Sequence, residues 1–232
     1  MRNAFLPLLV LLVIGAVLLG GRYSFETTWH LNRVIACLRT LHFSQLAGSH
    51  FVVRYPRGAD EDARLVLAAA EYFYPLVNRD FGGKLPPKNF IILVNQFADD
   101  RTMGLYYRGV IEVLAPSRWL PPAGDRVALF YAEGPLAHEL THLAVDLLTR
   151  GNAPLWFTEG VAQYEECKLT GGSPEDLTGA PLPTDQEGSY RQALDRILWL
   201  TAHGGEECVH QIMAKLAAGA RIDELLPPAC CG

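Results

Sequence analysis

Two imidazoles and a carboxylate stand at helical spacing in His138-Glu139-Leu140-Thr141-His142. Residues four apart on an α-helix differ by about 40° around the axis and about 6 Å along it, so both histidines can reach one cation. Glu139, one residue on, projects beside that point, where its carboxylate can take a proton from water. The chemistry open to such a trio is metal-assisted hydrolysis, and a pair of imidazoles suits zinc. The plainer reading is a surface helix with two ordinary histidines. The flanking residues argue against it. Val127 to Tyr131 with Leu136-Ala137 on one side, and Leu143-Ala144-Val145 with Leu147-Leu148 on the other, are mostly apolar. The trio therefore belongs to a largely buried helix, where histidine and glutamate need partners. After a turn, Pro154 to Tyr164 adds a further acid, Glu159, inside another apolar helix.

The elements that must position these residues follow from pattern and punctuation. Ser24 to Leu46 reads as a helix, and His50 to Tyr55 as a strand ended by Pro56. A helix runs from Asp60 to about Arg79. Asn89 to Val94 is a continuous apolar run, hence a buried strand. Thr102 to Arg108 reads as irregular, and Gly109 opens a strand at Val110 to Leu114. Asp125 caps the motif helix, which extends to about Thr149 with a kink or break at Gly134-Pro135. The Glu159 helix reaches about Leu169. Thr170 to Glu187 is a long loop rich in Gly, Pro, Thr and Asp. Helices at Tyr190 to His203 and Glu206 to Ala218 close the chain. Mixed strands first and helices last indicate an α+β domain.

Half of the 232 residues are hydrophobic, enough for one good core. The net charge of −5 is spread over interspersed acids and bases, with no basic stripe, so no nucleic-acid partner is expected. Phe5 to Gly20 is apolar apart from its proline and glycines, with Arg2 before it. It reads as a membrane anchor in preference to a cleaved signal peptide. Either reading puts the domain outside the cytoplasm, membrane-anchored in the first and secreted or periplasmic in the second. The chain divides into an anchor or signal segment at 1–23, a helical linker at 24–47, a domain at 48–220 and a cysteine-containing tail at 221–232. Five cysteines in an exported chain can form disulfides and leave at least one thiol over.

With these pieces assembled, the chain resembles a gluzincin zinc metallopeptidase of the peptidase MA-like type. The resemblance rests on His138-Glu139-x-x-His142 and on Pro154-x-Trp156-x-x-Glu159-Gly160-x-Ala162-x-Tyr164. Weaker support comes from Gly104-x-Tyr106 to Gly109-x-Ile111-x-Val113, which is similar to the family's edge strand, from His50-Phe51, and from Tyr190-x-Gln192-Ala193. It implies a zincin-like fold: a small, twisted mixed sheet over the active-site helix, followed by a helical C-terminal part. It implies one Zn2+ ion held by His138, His142 and Glu159, and Glu139 as the general base. No histidine occurs between Leu143 and Asn152, which disfavours the Met-turn class with its nearby third histidine.

The remaining roles are finer. A second stabiliser of the oxyanion is needed besides the metal; Tyr190 is the first candidate, followed by Tyr106, Tyr107, Tyr164 and His203. Gln163 is expected to orient His138, and Asp146 to support His142. Gly160 should allow close packing on the motif helix, while Glu165 and Glu166 read as solvated. Val110, Ile111, Glu112 and Val113 would form the edge strand that binds an extended polypeptide substrate through its main chain. The implied activity is zinc-dependent peptide-bond hydrolysis. The alternatives are an inactive scaffold that keeps the fold, and a metal-dependent amidase acting on a non-protein, cell-wall amide.

Overall fold

The computed structural model describes residues 25–99, 101–173 and 189–225. The segment 1–23, most of the loop from Thr170 to Glu187 and most of the cysteine tail lie outside the described residues. Among the described residues no helix is long and apolar enough to cross a membrane.

The elements follow in the order α1 (Phe25–Arg39), β1 (Ser44–Ala47), β2 (Phe51–Tyr55), α2 (Asp60–Asp80), β3 (Asn89–Val94), β4 (Gly104–Tyr107), β5 (Val110–Leu114), α3 (Arg126–Glu133), α4 (Leu136–Thr149), α5 (Leu155–Thr170) and α6 (Tyr190–Ala217). The fold is α+β, with one five-stranded mixed sheet in the order β1-β2-β3-β5-β4. β1 and β4 pair antiparallel with their neighbours, and the inner pairs are parallel.

The central strand β3 is apolar on both sides because both sides are covered. Ile91 and Leu93 join the main core with α2, α4, α5 and α6, whereas Phe90 and Ile92 meet Ala36 of α1 on the opposite face. The helices that carry the chemistry thus share one side of the sheet, and α1 packs on the other.

Three local expectations need correction. The helix at the start of the domain ends at Arg39, and Ser44–Ala47 forms the edge strand β1. Its sequence, Ser-Gln-Leu-Ala, has no β-branched residue; its strand state comes from the backbone bonds to β2. The stretch from Thr102 to Arg108 contains a second short strand, β4. Arg108 and Gly109 both take positive φ, 37° and 88°, and make the two-residue turn joining β4 to β5. β4 is therefore the sheet edge, and β5, with Val110, Ile111, Glu112 and Val113, is paired on both sides. Its main chain has no free row of bonds for a substrate. The expected break at Gly134-Pro135 is present, and the motif helix is two helices, α3 and α4. A Cβ on Gly134 would collide with the carbonyl oxygen of Phe130, and Pro135 caps the new start at Leu136. Asp125 does cap the upstream piece, accepting from the Ala128 N–H at 2.9 Å. The expected break between the last two helices is a kink at Gly205 within α6, where φ is 67°.

Candidate metal centre

α4 begins two residues before His138, so the motif occupies its first two turns. After Arg150 and Gly151 turn the chain in left-handed conformations, Pro154 leads into α5, which packs against α4. Glu159 lies in the second turn of α5, facing the histidines. His138 Nε2 lies 3.0 Å from His142 Nε2 and 3.2 Å from Glu159 Oε2, and His142 Nε2 lies 3.4 Å from the same oxygen.

This triangle fits a metal by a simple test. Ligand bonds of about 2.0–2.1 Å at tetrahedral angles set donor atoms about 3.3 Å apart, close to all three separations. A hydrogen-bond argument agrees. His138 Nδ1 is 3.0 Å from Glu166 Oε2, and a carboxylate can only accept, so Nδ1–H donates. A neutral His138 then turns the lone pair of Nε2 toward the acceptors Glu159 and His142. Three acceptors in a buried corner require a shared cation or extra protons. The group can hold a metal ion.

The charges follow from the same geometry. Burial alone would lower the pKa of His138, but the carboxylates of Glu159 and Glu166 outweigh it and raise it well above the usual value. Burial alone would raise that of Glu159, and the two histidines reverse this, holding it far below the ordinary carboxylate range. Protons and a metal compete for these sites, so metal binding should release protons.

Glu139 lies between the donor triangle and the sheet edge. Its carboxyl is buried, its pKa is raised by that burial, and Oε2 has no hydrogen-bond partner. Gly104, the first residue of β4, makes the room: a Cβ there would stand 2.6 Å from Glu139 Oε1. A buried, unpartnered carboxylate oxygen beside three metal-capable donors is a group available to hold or accept a proton.

The structure brings His138, Glu139, His142 and Glu159 together. It also brings Tyr190 near them. The capping box of Ser189 and Gln192 starts α6 at Tyr190, and burial, followed by the charges of Glu159 and Glu139, pushes the tyrosine pKa up to about 12. The other oxyanion candidates are engaged elsewhere. Tyr106 donates to Asp146 Oδ2 at 2.5 Å and accepts from the Gly109 N–H at 2.8 Å. Tyr164 donates to Glu206 at 3.2 Å, His203 Nδ1 donates to the Trp199 carbonyl at 2.8 Å, and Tyr107 is exposed on β4.

The supporting residues differ from expectation. Glu166, not Gln163, orients His138. Gln163 is buried, with neither amide atom hydrogen-bonded. Both lie near the Glu159 face of α5, but Glu166, seven positions on, is almost in line with Glu159 after two turns. That i, i+7 spacing was the available signal. Asp146 takes the Tyr106 hydroxyl, and its support of His142 is indirect: the Tyr106 ring stacks on His142, with centroids 6.4 Å apart. Glu165 is buried rather than solvated. Gly160 admits α6, not the motif helix, since a Cβ there would meet the Ala193 carbonyl oxygen at 2.5 Å.

No protein-family model matches this chain, and no curated protein matches it either.

Proposed function

We propose that this chain is a zinc-dependent peptidase of the gluzincin, peptidase MA-like type, with a zincin-like fold and its domain outside the cytoplasm, anchored to a membrane or released. The observation that carries this reading is the donor triangle of His138, His142 and Glu159, with edges of 3.0 to 3.4 Å, beside the unpartnered carboxylate of Glu139.

Bound zinc would supply a Lewis acid that polarises a carbonyl and makes nearby water more acidic. The protein's own groups do the rest. Glu139 accepts the proton of the attacking water at its carboxylate and delivers it to the departing amine. Its buried setting keeps bulk water from competing and raises its basicity. Tyr190, whose hydroxyl stays protonated at neutral pH, donates a hydrogen bond to charge developing on the carbonyl oxygen. Glu166 fixes the ring of His138 and its tautomer through Nδ1. The edge strand β4, rather than β5, offers a main-chain row to an extended polypeptide.

The test combines metal content with turnover. The purified chain should carry one equivalent of zinc and cleave members of a mixed peptide library. Glu139→Gln should keep the metal and the fold but lose cleavage. Failure to bind zinc at micromolar concentration, or full activity in Glu139→Gln, would sink the reading; cleavage confined to non-peptide amides would move it to the amidase alternative.

A further inference from the structure

The outward side of α1 is apolar. Inward, Trp29 joins the main core and Ala36 meets Phe90, Ile92 and Val110 of the sheet. On the opposite side Leu31, Val34, Ile35 and Leu38 fall within about 100° of arc. Val34 and Ile35 are 48% and 43% exposed, and Leu41, just past the helix, is 69% exposed. A helix covering a sheet ordinarily turns polar residues to this side. The flanks are basic. Arg39 stands on one edge, 65% exposed and only loosely paired with Glu112 at 3.5 Å, and His30 stands on the other, whereas Arg33 turns inward over the Trp29 ring and donates to the Lys88 carbonyl. Glu26 is the one acid of the helix, in a chain whose net charge is −5.

The apolar run Phe5 to Gly20 ends four residues before Phe25 opens α1. The five residue steps from Gly20 to Phe25 span at most about 18 Å even when fully extended. Any bilayer that accepts Phe5 to Gly20 therefore lies within reach of this strip.

We propose that α1 is a bilayer-docking helix. Leu31, Val34, Ile35, Leu38 and Leu41 enter the acyl-chain boundary of a membrane, while Arg39 and His30 on the flanks meet its polar headgroups. An apolar stripe with basic flanks is the pattern of a helix lying in the membrane plane. The domain then rests on the α1 side of its sheet, and the donor triangle, carried by α4 and α5, lies on the other. The proposal rests on the apolar segment meeting a bilayer and is independent of the chemistry at the metal centre.

The full chain, reconstituted into vesicles of phosphatidylcholine and phosphatidylglycerol, tests it. The photoreactive residue p-benzoylphenylalanine is placed at position 34, at position 41, or, as a control, at the exposed position 72 of α2. The expected result is lipid adducts at 34 and 41, several-fold above those at 72. Adducts at 34 and 41 to a second copy of the chain would overturn the proposal in favour of a dimer face. So would an absence of adducts, equal lipid labelling at all three positions, or a chain that does not associate with the vesicles. Circular dichroism of each variant confirms that the exposed substitutions leave the fold intact.

Discussion

Helix α5 carries two clusters of buried charge, and they are balanced in different ways. On the side facing α4, Glu159 and Glu166 meet His138 and His142, and no lysine or arginine pairs with these acids among the described residues. Nine positions beyond Glu159, on the opposite side of the helix, Lys168 reaches Asp80 of α2 at 3.1 Å, Glu165 at 3.3 Å and Glu206 of α6 at 2.8 Å. Burial alone would lower the pKa of Lys168, and the acids around it raise it instead. The second cluster has its cation built into the chain. The first must borrow one, as protons or as a metal. A structural cluster and a metal-ready one can thus share a helix and a composition, and the presence of a fixed ammonium tells them apart.

Substitutions can break that contrast. The largest effect is expected from Glu139→Gln, which should reduce peptide turnover by about 10²–10⁴-fold while zinc content and Tm stay unchanged. Equal loss of metal or stability would mean that Glu139 belongs to the scaffold. Next, Glu166→Ala should weaken zinc binding by about 10–100-fold, read from competition with a chelator, because His138 loses the acceptor that orients it. Unchanged affinity would show that α4 holds the ring without help.

Lys168→Met addresses the other cluster. It takes the shared ammonium from three acids, leaving Asp80 with Arg79 and Glu206 with the Tyr164 hydroxyl, and should cost about 2 kcal/mol of stability, below the ~3–5 kcal/mol of a fully buried pair because Lys168 is partly exposed. Denaturant unfolding measures this, and zinc content should not change. Loss of zinc together with stability would show that the two clusters are coupled through α5.

The smallest effect concerns pH. Burial, only partly offset by Lys168, pushes the carboxyl of Glu165 up to about 7. Folding therefore favours its neutral form, and that contribution is fully present below about pH 4.5 and lost as pH rises toward 7. Asp80, held below its usual value by Arg79 and Lys168 against the effect of burial, acts in the opposite sense at acid pH. Glu165→Gln should raise Tm by a few degrees at pH 8 and by less at pH 5, by scanning calorimetry. Equal shifts at both pH values would mean that Glu165 does not titrate in this window.

Much of the metal centre was legible because it is local. The i, i+4 spacing of His138 and His142 dictates a shared helix face, and the turn at Gly151 and Pro154 returns Glu159 toward them. The misread parts lie where one element's state depends on another. Ser44–Ala47 and Gly104–Tyr107 are too short to carry a strand signal of their own, and they become strands through β2 and β5. Glu166 and Gln163 are chemically plausible partners for the same ring, and the rotation of α5 about its axis chose between them. Glu165 sits one residue from Glu166, yet it faces α2 and α6, where its neighbours could not be read from its position.

His138-Glu139-x-x-His142 by itself determined that two imidazoles and a carboxylate would share the start of one helix, since helical periodicity depends on the backbone alone. Tertiary packing decided the rest. It drew Glu159 to within 3.4 Å of both imidazoles, set Gly104 against Glu139, and left the triangle without a fixed cation. The physical reason is distance: spacing along a helix fixes neighbours a few ångströms apart, but which elements meet depends on how the whole chain buries its apolar surface.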